Sequence, residues 1–302
     1  MDKHIIVVAG GTGNLGGRII SALVEKGVEV RALVRVATEA NKVKLLEQSG
    51  AKVIVVDFAS EQETTTACMG ASCVVSALAG LDDVILTTQK VLLNGAIAAR
   101  VPRFIPSDYS LDFTNFRHGE NRNLDLRRQF HQYLDSTSMA ATTIFNGAFM
   151  DMLTHEIPMI IFKKKLVLYW GDADHKMGFT TVDDTALFTA NAALDATAPR
   201  YLRIAGDRVS PREIRQIMNE ISGEKFRMLR TGGPGLLSFI IAIAKKMAPG
   251  KDDLYPAWQG MQYMRNMIDK RADLKTTDNY RYPGMQWTSV KELLLKHQGS
   301  KN

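Results

Sequence analysis

Cysteine is nearly absent from this chain of 302 residues, which carries only Cys68 and Cys73, on either side of Gly70-Ala71. Two thiols flanking a short turn between a helix and a strand make neither a disulfide framework nor a metal-ligand spacing, and they suit a reducing compartment. Long apolar runs are missing too. The longest, Leu236 to Ala244, is interrupted by Ser238 and falls short of the roughly 20 residues needed to cross a bilayer. Met1 leads into a strand without a basic leader and cleavage site, so we expect a soluble, cytoplasmic protein with no membrane partner. Charge of one sign is not in large excess: 38 Lys and Arg face 32 Asp and Glu, a formal +6. The basic residues are scattered, and the densest run is Lys163-Lys164-Lys165. This balance favours anionic partners, nucleotide phosphates included, and marks no nucleic-acid surface. No zinc spacing, nucleophilic serine triad or P-loop is present, and we expect no metal.

What is present is the composition of a packed globular protein, with 45% hydrophobic, 23% charged and 8% aromatic residues. The first half alternates β-branched runs with amphipathic segments, the mark of βαβ units around a parallel sheet. The pattern predicts strands at His4 to Ala9, Val28 to Val34, Lys52 to Val56, Cys73 to Ala77, Arg103 to Pro106 and Thr142 to Asn146. Ile5-Ile6-Val7-Val8 and Val53-Ile54-Val55-Val56 do not alternate with polar residues, so both runs are expected as central strands covered on two faces. Crossover helices are expected at Leu15 to Glu25, Thr38 to Gln48, Asp83 to Ala99 and Leu124 to Leu134. The predicted fold class is α/β, a Rossmann-type doubly wound parallel sheet with helices on both faces, plus a smaller C-terminal α+β domain. Residues 1–150 would form the sheet domain and 151–302 mainly the smaller one, with about 180–206 returning to the first sheet; the motifs and the resemblance below make the first the NADP(H)-binding domain and the second the substrate domain. In the second half, Leu166 to Tyr169 reads as an isolated strand, Val182-Asp183-Asp184 opens a helix, and Ser210-Pro211-Arg212-Glu213 has the form of a capping box with proline at the first turn. The Met- and aromatic-rich region beyond Phe226 reads as core or as the wall of an apolar pocket.

The sharpest local signal is Gly10-Gly11-Thr12-Gly13-Asn14-Leu15-Gly16. Glycine-rich patterns alone are weak, but this one follows an apolar strand and opens an amphipathic helix within a unit of about 30 residues. Small residues let the backbone approach a pyrophosphate, whose charge meets free N–H groups at the positive end of the helix. Gly10, Thr12, Gly13, Asn14 and Leu15 are therefore candidate dinucleotide ligands. The second strand is followed by Arg35, where an NAD-preferring site would carry an acid, so the expected cofactor is NADP(H). Asp57, ending the third strand, either reaches the adenine amino group or caps the turn before Phe58. Ser76 and Ala77, Ser107 and Asn146, at the ends of the fourth, fifth and sixth strands, complete the expected cofactor edge.

With Gly10 to Gly17, Ala32-Leu33-Val34-Arg35, Arg103-Phe104-Ile105-Pro106-Ser107-Asp108-Tyr109 and the stretch Met139 to Phe149, the chain resembles the NmrA-like, isoflavone-reductase-like branch of the atypical short-chain dehydrogenases. The resemblance covers most of the chain and implies NADP(H) in an extended cleft closed by a small C-terminal domain. In the reductase members, which act on phenylpropanoid-type aromatics, a lysine on the helix after the Phe-Ile-Pro-Ser strand serves as general acid or base. The matching position here is Arg127, which stays protonated and can orient an anion but cannot cycle a proton. The Tyr-x-x-x-Lys pair of ordinary short-chain dehydrogenases is also missing, since no tyrosine has lysine four positions later.

Substitute acids are Tyr109, expected at the cleft edge, then His131 on the helix surface one turn beyond Arg127, and His118; Tyr133 reads as packing. Asp183 and Asp184 read as helix-capping acids, and Asp172 and Asp174 as a turn. Two functions remain open. One is an NADPH-dependent reductase acting on a carbonyl or conjugated double bond of a small, apolar, aromatic molecule. The other is a non-catalytic NADP(H) sensor acting through a protein partner, as a monomer or homodimer.

Overall fold

The computed structural model describes residues 4–155, 159–274 and 276–299. The chain divides into two compact units, the first comprising Met1–Tyr109, Asn123–Phe145 and Val182–Leu202, the second Ser110–Arg122, Asn146–Thr181 and Arg203–Asn302. Elements of the first unit run β1 (Ile5–Ala9), α1 (Asn14–Glu25), β2 (Glu29–Arg35), α2 (Ala40–Gln48), β3 (Lys52–Val56), α3 (Glu61–Cys68), β4 (Cys73–Ser76), α4 (Gln89–Ala98), β5 (Arg103–Ile105), α5 (Arg122–Leu134), β6 (Ala140–Ala141), β7 (Thr143–Phe145) and α6 (Val182–Leu194).

Six strands form one parallel sheet in the order β3-β2-β1-β4-β5-β6. The order reverses at β1, which places β1 and β4 at the switch point where a crevice opens beyond the strands' carboxyl ends. The pattern of β1 explains its place: Ile6, Val7 and Val8 have no exposed surface, because successive side chains enter cores on opposite faces. Val7 and Ala9 belong to a cluster with Leu92, Leu93 and Phe130 of α4 and α5. On α1, Ile19, Ile20 and Leu23 are fully buried, and this helix packs on α6, in which Ala186, Ala190, Ala192 and Ala193 are also buried. Each such large apolar side chain contributes about 1.5–3 kcal/mol on burial. The doubly wound α/β fold is therefore as the sequence predicts.

Three local expectations change. β3 lies at the edge of the sheet, with Val55 55% exposed, so its unbroken apolar run does not mark a central strand. The helix expected from Asp83 starts as a π-helical turn, Asp83–Thr88, before α4 proper. The strand predicted at Thr142 to Asn146 forms as β7 but pairs with Tyr201–Arg203 in a separate two-stranded sheet, and the sixth strand of the parallel sheet is β6, just before the predicted range.

In the second unit, Met177–Thr180 lies between Ala148–Phe149, parallel to it, and Asp207–Val209, antiparallel. Leu166–Trp170 is not isolated, since it pairs with both Ile160–Ile161 and Arg227–Gly232. Around these strands lie α7 (Pro211–Ser222), α8 (Pro234–Met247), α9 (Ala257–Met267) and α10 (Val290–Gly299). The capping box of α7 forms: the Glu213 N–H donates to Ser210 Oγ at 3.2 Å and the Ser210 N–H to Glu213 Oε2 at 2.8 Å. The Met- and aromatic-rich region is partly core, with Trp258 and Met267 buried but Met247 79% exposed. Among the described residues, no helix is long and apolar enough to cross a membrane.

Cys68 and Cys73 are both buried and free. Burial pushes each thiol up to about 12, with the charges of Arg31 and Arg103 offsetting only part of the rise. The thiolate is the reactive form, so the native protein is expected to resist a disulfide-exchange reagent at pH 8 and to titrate both thiols only in denaturant. Rapid labelling of the native protein would contradict the packing of α3 against the sheet.

Candidate functional site

The turn between β1 and α1 is built by backbone lying on backbone. Gly10 takes φ +87°, and a Cβ there would collide with the Ala77 carbonyl, while one at Gly16 would collide with the Gly10 carbonyl. The Gly13 N–H closes the turn onto the Gly10 carbonyl at 3.0 Å. Helix α1 then begins at Asn14 with Gly13 as N-cap, no side-chain cap and no acid in its first turn. Its leading N–H groups are left for a ligand or water, and Thr12, Gly13 and Asn14 are exposed while Leu15 is half-buried. The structure thus presents an open, positively polarised cradle able to take an anion.

Around that cradle the expected ligands divide into open and closed positions. Arg35, ending β2, is exposed, and among the described residues its guanidinium has no hydrogen bond or ion pair. Arg31, by contrast, donates to the carbonyls of Ala67 and Met69 at 3.1 and 2.7 Å, which fixes it to the end of α3. Asp57 is exposed, its carboxylate accepting from the Ala59 N–H at 2.9 Å, so the turn-capping alternative is realised. Ala77 is half-buried, whereas the Ser76 side chain is fully enclosed and its hydroxyl lacks a hydrogen-bond partner among the described residues. Ser107 spends its own groups inward: its hydroxyl donates to the Leu78 carbonyl at 2.6 Å and its N–H to Gln89 Oε1 at 2.9 Å. Asn146 belongs to the second unit, where it is fully buried, its N–H donating to the Ser110 carbonyl and its carbonyl accepting from Thr180.

The two candidate acids are not where the sequence places them. Tyr109 is enclosed, not at a cleft edge; burial pushes its phenol well above the ordinary range, with Thr189 of α6 beside its hydroxyl. His131 is interior, not on the helix surface: its Nε2 lies 2.5 Å from Asp108, which has no exposed surface. Thr143 of β7 donates to the same carboxylate at 2.8 Å and accepts from Arg200 at 2.7 Å. Arg200 also reaches His131 Nδ1 at 3.2 Å; because a guanidinium only donates, Nδ1 accepts and Nε2 gives its proton to Asp108. Burial alone would raise the Asp108 pKa, but His131, Thr143 and the nearby charge of Arg127 outweigh it and hold the carboxyl below its usual range. Chain alternation reveals none of these partners, since they come from a strand exit, a helix, a second strand and a loop.

Arg127 is half-buried on α5, its Nε donating to the Ser107 carbonyl at 3.1 Å and its Nη1 to the Asn123 carbonyl at 2.9 Å. It therefore sits at the carboxyl exit of β5, with Ser107 as its anchor. Elsewhere, Tyr133 donates to Asn94 at 2.7 Å, Asp183 in the first turn of α6 pairs with Arg18 and not with its own helix terminus, and Asp172 accepts from the Asp174 N–H in a turn. His118 is exposed. Among the described residues no group of His, Cys, Asp or Glu could hold a metal ion.

A glycine turn and an open helix terminus at the switch point of a 3-2-1-4-5-6 sheet define a Rossmann-type protein. The chain belongs to the NmrA-like family, whose model matches residues 2–294. It is similar to pinoresinol reductase 2 of Arabidopsis thaliana, with 27% identity over 263 residues that cover 79% of this chain and 81% of that protein. A photosystem II assembly factor, Ycf39 of Guillardia theta, is 25% identical over 73% of this chain and 71% of its own. Among solved structures, the binary complex of leucoanthocyanidin reductase and NADPH from Vitis vinifera has the same fold, with TM-score 0.80, 15% identity and coverage of 97% and 99% of the two chains.

The Asp108 cluster yields a stability test. A carboxyl whose folded pKa is depressed stabilises fully above its unfolded pKa, about 3.9, and loses that contribution as pH falls through the lower folded value. Asp108→Asn is expected to cost about 2 kcal/mol at pH 7, the scale of losing buried hydrogen bonds to a charged group, with the difference from wild type narrowing below about pH 4. Urea midpoints at pH 7 and pH 3.5 measure this, and equal midpoints at pH 7 would refute the account.

Proposed function

We propose that the chain is an NADPH-dependent oxidoreductase that delivers hydride to a carbonyl or conjugated double bond of a small, apolar, aromatic substrate. The observation that carries this reading is the pairing of an open α1 N-terminus with Arg35, which has no partner among the described residues, at the end of the adjoining β2. The residues fit the cofactor: Cβ atoms at Gly10 and Gly16 would fill the turn, and the N–H groups of Asn14 and Leu15, with Thr12 and Gly13, would face the pyrophosphate. Arg35 would hold a 2′-phosphate by its fixed fork of donors. Ala77 and the Ser107 strand exit would flank the nicotinamide half, which when bound supplies the hydride. Arg127 orients the substrate oxygen. With Tyr109 and His131 enclosed, the proton that completes reduction comes from solvent.

Relatives support the reading in kind: pinoresinol reductase and the NADPH complex of leucoanthocyanidin reductase carry the activity class and cofactor in their names. A second reading is favoured by arginine at the position that resemblance assigns to a catalytic lysine, and by similarity to an assembly factor. In it the chain senses NADP(H) and signals occupancy to a protein partner, which requires different affinities for the reduced and oxidised cofactor in two conformations.

Titration with NADPH and NADH by nicotinamide fluorescence is expected to show NADPH bound at least about tenfold more tightly, a difference near 1.4 kcal/mol, with the preference abolished in Arg35→Asp. Equal affinities in the wild type would remove the proposed role of Arg35. Loss of NADPH absorbance with a member of a panel of ketones, enones and quinones would reject the pure sensor. A conformational change on NADPH binding without turnover would favour it.

A further inference from the structure

Arg127 is held differently from three other arginines of the first unit. In the first unit, Arg18 pairs with Asp183, Arg128 with Asp125 at 2.8 Å, and Arg200 with Asp135 at 3.0 Å. Arg127 has two main-chain carbonyls instead, and among the described residues no carboxylate lies within ion-pairing distance of it. Asp108 is near enough to feel its charge, but that carboxylate is committed to His131 and Thr143. The two carbonyls fix the plane of the guanidinium and leave its Nη2 without a hydrogen bond. Such a group is a rigid, permanently charged, partly desolvated donor with one edge unused, and the ligand chemistry that it fits is an anionic oxygen.

The groups beside it restrict the kind of oxygen. Hydride addition to a simple ketone leaves an alkoxide, about as basic as hydroxide, with a conjugate-acid pKa near that of water at roughly 16, and so requires a proton donor in place. Within the first unit Tyr109 is enclosed and the Nε2–H of His131 already donates its hydrogen bond to Asp108. A phenol ionises near pH 10, so its anion survives until solvent protonates it, the more so beside a fixed cation. Resting on the reductase reading, we infer that Arg127 forms an oxyanion subsite for an ionised phenolic oxygen, selecting aromatic acceptors such as quinones whose reduction leaves a phenolate. The balance is simple. The C4–H bond of the reduced nicotinamide breaks, its hydrogen and electron pair pass to the quinone, and hydroquinone monoanion and NADP⁺ result. One proton from water then gives the neutral hydroquinone.

The subsite can be tested without turnover. 4-Nitrophenol, whose anion absorbs in the visible, is titrated with pH in the presence of protein saturated with NADP⁺ and, separately, of protein alone. The bound probe is expected to ionise about one pH unit or more below the free probe. Arg127→Met should lose that shift and Arg127→Lys keep part of it, whereas Arg128→Met, which removes the neighbouring cation, should keep it whole. NADP⁺ affinity and circular dichroism of each variant separate this result from loss of the cofactor site or of the fold. No probe binding, no shift in the wild type with NADP⁺ bound, or an undiminished shift in a folded Arg127→Met protein would overturn the subsite. A shift that depends on Arg127 in a protein that fails to bind NADP⁺ would uphold the subsite and overturn the reductase reading.

Discussion

The fold depends on one close approach: the backbone at Gly10 lies against the Ala77 carbonyl on one side and against Gly16 on the other. Gly10 joins β1 to the turn, Ala77 follows β4, and Gly16 lies in the first turn of α1. Any side chain at Gly10 or Gly16 would push α1 away from the sheet, and α1 carries the fully buried Ile19, Ile20 and Leu23. The same absence of side chains leaves the helix's first N–H groups uncovered. Packing and anion binding are thus set by one geometry, which is why a substitution that harms the site would also harm the core.

A second constraint organises the far side of the switch point. Asp108, directly after Ser107, draws together His131 on α5, Thr143 on β7 and, through both, Arg200. A buried carboxylate without partners would be costly, so its hydrogen bonds specify how α5 sits on the exit of β5. Arg127 lies on the same helix one turn before His131 and closes the arrangement by binding the Ser107 carbonyl. The hydrogen bonds of the cluster and of Arg127 thus fix the same helix to the exit of β5.

Much of this was legible in the sequence, and where it was not the reason is physical. The glycine turn announces itself because only small residues permit a tight strand-to-helix passage, and Ser210 to Glu213 because a capping box is a local hydrogen-bond exchange. β3 has the sequence of a central strand but lies at the edge, because an apolar run reports burial potential and not sheet position, and Val55 is left exposed there. Tyr109 reads as a cleft-edge residue because it follows a strand end, and His131 as a surface residue because it is a polar side chain on a helix. Their neighbours in the structure, Thr189 and Asp108, are distant in sequence, and periodicity does not describe them. The departure at Arg127 was visible from residue identity alone; that it lacks a paired carboxylate was not.

In the proposed complex a dinucleotide lies across the α1 N-terminus and reaches the end of β2. Amide hydrogen exchange with and without NADPH tests it most directly. Added protection concentrated in residues 10–18 and 35–38, with NADH protecting the first segment but not the second, is the predicted result. Unchanged exchange at the glycine turn under saturating NADPH would contradict it.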